Sequence, residues 1–204
     1  MIDMMISVFS REAPAMKPRN GSAIVAALLF GTLAASPSTA ARLQGHLEPC
    51  GQRMCPWYES KVEAPEGWEK ADDWTRRYKA VFMFPGGDQS KELPVMYVRA
   101  HQGEPELVLE EYIKVAQDKW KEKVGGAEIT PLDDVAREGK PTFKVYFYRN
   151  PTSDDQGYEL TAFMKDTSPD YKDATFFFQI VLSSPSQAEL DKAKAAFYEV
   201  LKGL

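Results

Sequence analysis

The chain has 204 residues, 44% of them hydrophobic and 12% aromatic, and a formal net charge of −5. That length and apolar fraction suit one well-filled core and are short for two. Acidic and basic residues are interspersed, with no positive stripe to neutralise phosphates, which argues against nucleic acid as a partner.

From Met16 the sequence runs MKPRNGSAIVAALLFGTLAASPSTAARL. Lys17 and Arg19 form a basic n-region, Ala23 to Ala35 an apolar h-region, and Ser38 and Ala40 the small residues of a cleavage site. The apolar run is too short for a hydrocarbon core, which needs ~20 helical residues, so a cleaved secretory signal is favoured over a retained anchor. Residues 1–41 are therefore expected to be an N-terminal extension plus signal peptide, with Met16 an alternative start. The mature chain is expected to be acidic, to lack a membrane span, and to act in the periplasm or outside the cell.

Residues 42–58 read as an irregular lead-in, and the irregular stretch extends to Pro65. The segment holds both cysteines, Cys50 and Cys55, with GQRM between them. A lipid anchor would place its cysteine directly after the apolar segment, which Cys50 does not satisfy. A thioredoxin-like site has two intervening residues rather than four. A zinc site needs about four ligands, and the only histidines are His46 and His101. An even number of cysteines in an exported chain points to a structural disulfide, with a reducible switch as the alternative.

The single domain is expected over residues 59–204. Pro65-Glu66-Gly67-Trp68 reads as a turn, and Tyr78 to Phe84 and Pro94 to His101 read as strands, the second alternating Val95, Tyr97 and Arg99 against Met96, Val98 and Ala100. From Glu106 to Val124 the period changes to that of a helix, with Leu109, Tyr112, Ile113, Ala116, Trp120 and Val124 on one side. Gly125-Gly126 stops it, and Ala127 to Leu132 reads as a short strand. Thr142 to Arg149 and Tyr158 to Lys165 alternate and are joined by a short loop, the pattern of an antiparallel hairpin. Ala174 to Ser183 is apolar on both faces, which requires cover on both sides of its sheet. The C-terminus provides a capping box, Ser186-Gln187-Ala188-Glu189, and a stripe of Leu190, Ala193, Phe197, Val200, Leu201 and Leu204.

These elements describe an α+β chain, an antiparallel sheet sandwiched by helices. In the entry turn Pro65 to Trp68, the helix LEEYIKVAQDKWKEK, the strands KVYFYR and FFFQIVLSS and the helix SQAELDKAKAAFYEVLKGL, the chain resembles the PsbP-like α/β/α fold. It is similar there to the DcrB-like bacterial envelope proteins. The resemblance implies a protein that binds another envelope protein or steadies an assembly, not an enzyme, and it carries no lipidated cysteine here. Fold likeness alone is an associational warrant for function.

No nucleophile motif, phosphate loop, dinucleotide fingerprint or His-Glu-x-x-His is present, so no catalytic, cofactor or metal residue is assigned. His46 is read as preceding the folded body and His101 as a surface histidine at a strand end. The acidic pairs Asp72/Asp73, Asp133/Asp134 and Asp154/Asp155, and Asp166, Asp170 and Asp173, are read as solvated. A calcium loop over 166–173 lacks the ligand rhythm. Tyr146, Tyr148, Tyr158 and Phe163 are the candidate ligand or partner surface, with ordinary core packing as the competing explanation. The leading expectation is a soluble exported binding or adaptor protein. A carrier of a small apolar ligand and a hydrolase built on acidic residues are the alternatives.

Overall fold

A computed structural model of the chain describes residues 42–151, 157–171 and 174–204. Among these the elements run β1 (Leu43–Cys50), β2 (Arg53–Ser60), β3 (Trp68–Lys70), α1 (Asp72–Tyr78), β4 (Val81–Pro85), β5 (Val95–Gly103) and α2 (Leu109–Lys123). They continue β6 (Glu128–Pro131), β7 (Val135–Arg137), β8 (Lys140–Arg149), β9 (Tyr158–Thr167), β10 (Thr175–Ser184) and α3 (Gln187–Gly203). The class is α+β. The expected signal peptide lies outside the described residues.

The sheet is antiparallel, and its central order is β1-β2-β5-β10-β9-β8-β6. β10 sits at the centre because it is apolar on both faces, pairing with β5 from Val95↔Ser183 to Gly103↔Thr175 and with β9 along its whole length. Its Phe176, Phe178, Ile180 and Leu182 gather with Met96, Val98, Leu160, Ala162, Phe143 and Val145 and with Leu190, Phe197, Val200 and Leu201 of α3 in one apolar cluster. Burying a large apolar side chain there contributes about 1.5–3 kcal/mol each. Ser186 caps α3, its Oγ accepting from Glu189 N at 3.2 Å.

Two stretches differ from the sequence expectation. The irregular lead-in expected over residues 42–65 is a β-hairpin from Leu43 to Ser60, in register from Leu43↔Ser60 to Cys50↔Arg53. Pro49 and Pro56 disguise it, yet both are tolerated: β1 pairs on one side only among the described residues, and β2 touches β5 only at Tyr58↔Ala100. The strand expected from Tyr78 begins at Val81, because Asp72 to Tyr78 forms α1. Trp74 and Tyr78 of α1 pack on Phe82, with ring centroids 5.5 Å away in each case. Thr75 Oγ1 also accepts from Phe82 N at 3.2 Å.

Candidate functional site

The two faces of the central strands differ in chemistry. Residues facing α3 are almost wholly apolar, whereas the alternate residues form mixed rows, the first of them His101, Phe177 and Lys165. Arg99, Gln179, Phe163 and Lys144 lie side by side across β5, β10, β9 and β8; Tyr97, Val181, Thr161 and Tyr146 make the next row, and Val95, Ser183, Glu159 and Tyr148 the last. α2 covers this layer. Its Tyr112 stacks on Phe177 with centroids 4.5 Å apart, and Trp120 meets Tyr148 edge-on at 5.0 Å. Lys165 secures the approach to α2 by donating to the carbonyls of Pro105 and Leu107, each at 2.8 Å.

Two charged side chains are enclosed in the layer. Arg99 is 5% exposed and lies 5.8 Å from the Tyr97 ring centroid, and its Nη2 is buried without a hydrogen-bond partner. Glu159 is 3% exposed; its Oε1 accepts from Ser183 Oγ at 3.3 Å. Burial pushes the Glu159 carboxyl up to about 7, against the smaller downward pull of that hydrogen bond. Burial likewise raises the Tyr97, Tyr112 and Tyr148 phenols, so all three stay protonated at neutral pH.

His101 is not the surface histidine that the sequence suggests. It follows Arg99 on the same face, and burial, then the Arg99 charge, hold its imidazole down to about 3, so it is neutral at pH 7. His46 lies within β1 and not ahead of the folded body. It stacks on Trp57 at 4.2 Å, and its Nε2 is 3.1 Å from Glu59 Oε2.

Tyr146, Tyr148 and Phe163 share the layer beneath α2, while Tyr158 points to the opposite face beside Phe147, 6.5 Å between centroids. The acidic pairs do not converge. Asp73 pairs with Arg76 at 2.6 Å in the first turns of α1, and Asp134 pairs with Lys144 at 2.6 Å. Asp166 accepts from Thr167 N and Asp170 from Leu43 N, so both tie backbone. Asp154, Asp155 and Asp173 lie outside the described residues. Among the described residues no three His, Cys, Asp or Glu side chains gather as a metal site would need.

The β1–β2 hairpin is the second candidate surface. Cys50 and Cys55 form a disulfide across it, Cα atoms 5.8 Å apart. Both sulfurs lie on the face that carries His46, Trp57 and Glu48, the last paired with Lys79 at 3.1 Å. The other face begins in the core, where Tyr58 meets Phe176 edge-on at 4.9 Å. It then runs outward through the paired residues Leu47 and Pro56, and Pro49 and Met54. All four are exposed, Leu47 by 67% and Met54 by 56%.

No protein-family model matches the chain, and no curated protein matches it either. No helix among the described residues is long and apolar enough to cross a membrane.

Proposed function

We propose that the chain is an exported, non-catalytic binding or adaptor protein of PsbP-like helix-sheet-helix architecture, working in the periplasm or outside the cell against another envelope protein. The observation that carries the reading is the hairpin. Leu47, Pro49, Met54 and Pro56 form an exposed apolar face on a segment that the Cys50–Cys55 disulfide braces. Among the described residues β1 pairs with no strand but β2; its outer backbone edge is tied to Asp170 at Leu43 N and carries no strand beyond it. An unpaired strand edge beside an apolar face is a template for strand addition, here over the part of β1 beyond Leu43, where Pro49 offers a carbonyl but no N–H. The occupant that fits is an extended protein segment, whose main chain would pair with β1 while alternate apolar side chains meet Leu47 and Pro49. The disulfide favours an oxidising compartment.

The test is in-cell photo-crosslinking from position 54. The reading expects a discrete protein adduct that disappears in the double variant Leu47→Asp, Pro49→Asp while the amount of exported protein is unchanged. Adducts to lipid alone, or an adduct indifferent to that double variant, would sink it.

A further inference from the structure

The sulfur atoms of the fold fall into two environments. Met83, Met96 and Met164 are 0% exposed and belong to the core cluster beneath α3, whereas Met54 is 56% exposed and stands outside it. Both cysteines are already joined as the disulfide, so among the described residues Met54 holds the exposed reduced sulfur. Its place on the hairpin follows from the backbone. Lys61 N donates to Arg42 O at 3.0 Å, so by antiparallel alternation Leu47↔Pro56 and Pro49↔Met54 are non-hydrogen-bonded pairs, whose side chains lie closest. Gly51, at φ 72, opens the two-residue turn between them. Met54 therefore stands opposite Pro49 and one step along the same face from Pro56.

An unbranched thioether adapts its shape to an apolar partner better than a branched side chain does. It is also open to two-electron oxidation. The sulfur lone pair takes one oxygen from a peroxide as the O–O bond breaks, and the other oxygen leaves with two hydrogens as water. The product is a sulfoxide, polar and chiral where the thioether was apolar, and a reductase using two thiols removes the oxygen as a second water. Susceptibility follows exposure, which sets Met54 apart from the three enclosed methionines. A disulfide carries no thiol with which to compete for the oxidant.

We propose that Met54 is an oxidation-sensitive switch on the hairpin's docking face. A peroxide-class oxidant converts it to the sulfoxide, and the polar S=O beside Leu47, Pro49 and Pro56 weakens partner binding until a sulfoxide reductase restores the thioether. A polar group buried in an apolar contact without a hydrogen-bond partner is costly, which supplies the loss of binding. Because Met54 has no place in the core, the sulfoxide leaves the fold intact. The effect on docking rests on the adaptor reading, whereas the selectivity for Met54 rests on burial alone.

Hydrogen peroxide is the probe. Peptide mass spectrometry of the treated, unreduced mature protein should find one oxygen added at Met54 at least ~10-fold faster than at Met83, Met96 or Met164, with the Tm unchanged. Docking is read by in-cell photo-crosslinking from position 56, which leaves Met54 in place. Peroxide should lower the wild-type adduct by about fivefold or more. In Met54→Leu the adduct, whatever its starting yield, should not respond to peroxide, and Met54→Gln should show the lowered yield with no peroxide added. The proposal is overturned by equal oxidation rates at exposed and enclosed methionines, by a Tm that falls as Met54 is oxidised, by a peroxide response in Met54→Leu equal to the wild type's, or by a wild-type yield in Met54→Gln. A wild type that forms no adduct before peroxide sinks the adaptor reading and the switch together, and the rate comparison still decides Met54 as the oxidation site.

Discussion

Replacing Glu159 with glutamine should remove a pH-dependent loss of stability. The Glu159 carboxyl is 3% exposed and sits at about 7 in the folded protein against an ordinary 4.5. The folded state therefore holds this proton more tightly than the unfolded chain does. Its contribution is fully present below pH 4.5 and is lost as pH rises towards 7. At about 1.4 kcal/mol per pH unit, the loss across that window is ~3 kcal/mol. Glutamine keeps the shape and a carbonyl that can accept from Ser183, but it cannot ionise.

His101 works in the opposite sense. Its imidazole is held to about 3 against an ordinary 6.5, so stability falls as pH drops below 6.5. Both proteins carry His101, so the difference between them isolates Glu159. Urea unfolding followed by tryptophan fluorescence, from pH 4 to pH 8, should find the two proteins nearly equal at the acid end. Glu159→Gln should be more stable by ~3 kcal/mol at the alkaline end. A difference that stays flat with pH, or that favours the wild type as pH rises, would falsify the assignment of Glu159 as a buried carboxyl in a water-poor layer.

Two further outcomes are expected. Replacing Cys50 and Cys55 together by serine should lower stability by about 2 kcal/mol, the loop-entropy value for so short a closure, and intact mass of the unreduced wild type should show the loss of two hydrogens. Ser186→Ala should cost ~1 kcal/mol by uncapping α3, read as a lower urea midpoint with unchanged slope.

The centre of the sheet was legible in the residues because alternation and burial agree there. Phe143, Val145 and Phe147 against Lys144, Tyr146 and Tyr148 place β8, and the two-sided apolarity of β10 demands cover on both faces. The β1–β2 hairpin was hidden because Pro49 and Pro56 carry a loop signature, and only an open strand edge makes them harmless. α1 is seven residues long, too short for a helical period to emerge. Arg99 and Glu159 carried a partial signal: a sheet covered on both faces must bury a charge placed beside β10. Drawing that consequence requires the register Arg99↔Gln179 and Ser183↔Glu159, and register depends on pairings between segments far apart in the chain. For the same reason the sequence alone groups Tyr158 with Tyr146 and Tyr148, although its strand position turns it to the α3 side.

The central place of β10 also governs the order in which the molecule can be built. β5 is made early but finds its long partner only when residues 175–184 appear, since Val95 pairs with Ser183. At about 5–20 residues per second of synthesis, that wait is roughly 4 to 18 seconds. In the meantime local pairs such as β1–β2, β3–β4, β4–β5 and β8–β9 can close from neighbouring residues, but the two halves of the sheet cannot join. Among the described strands β10 is the last to be made, so the strand that locks the sheet arrives after every strand it joins.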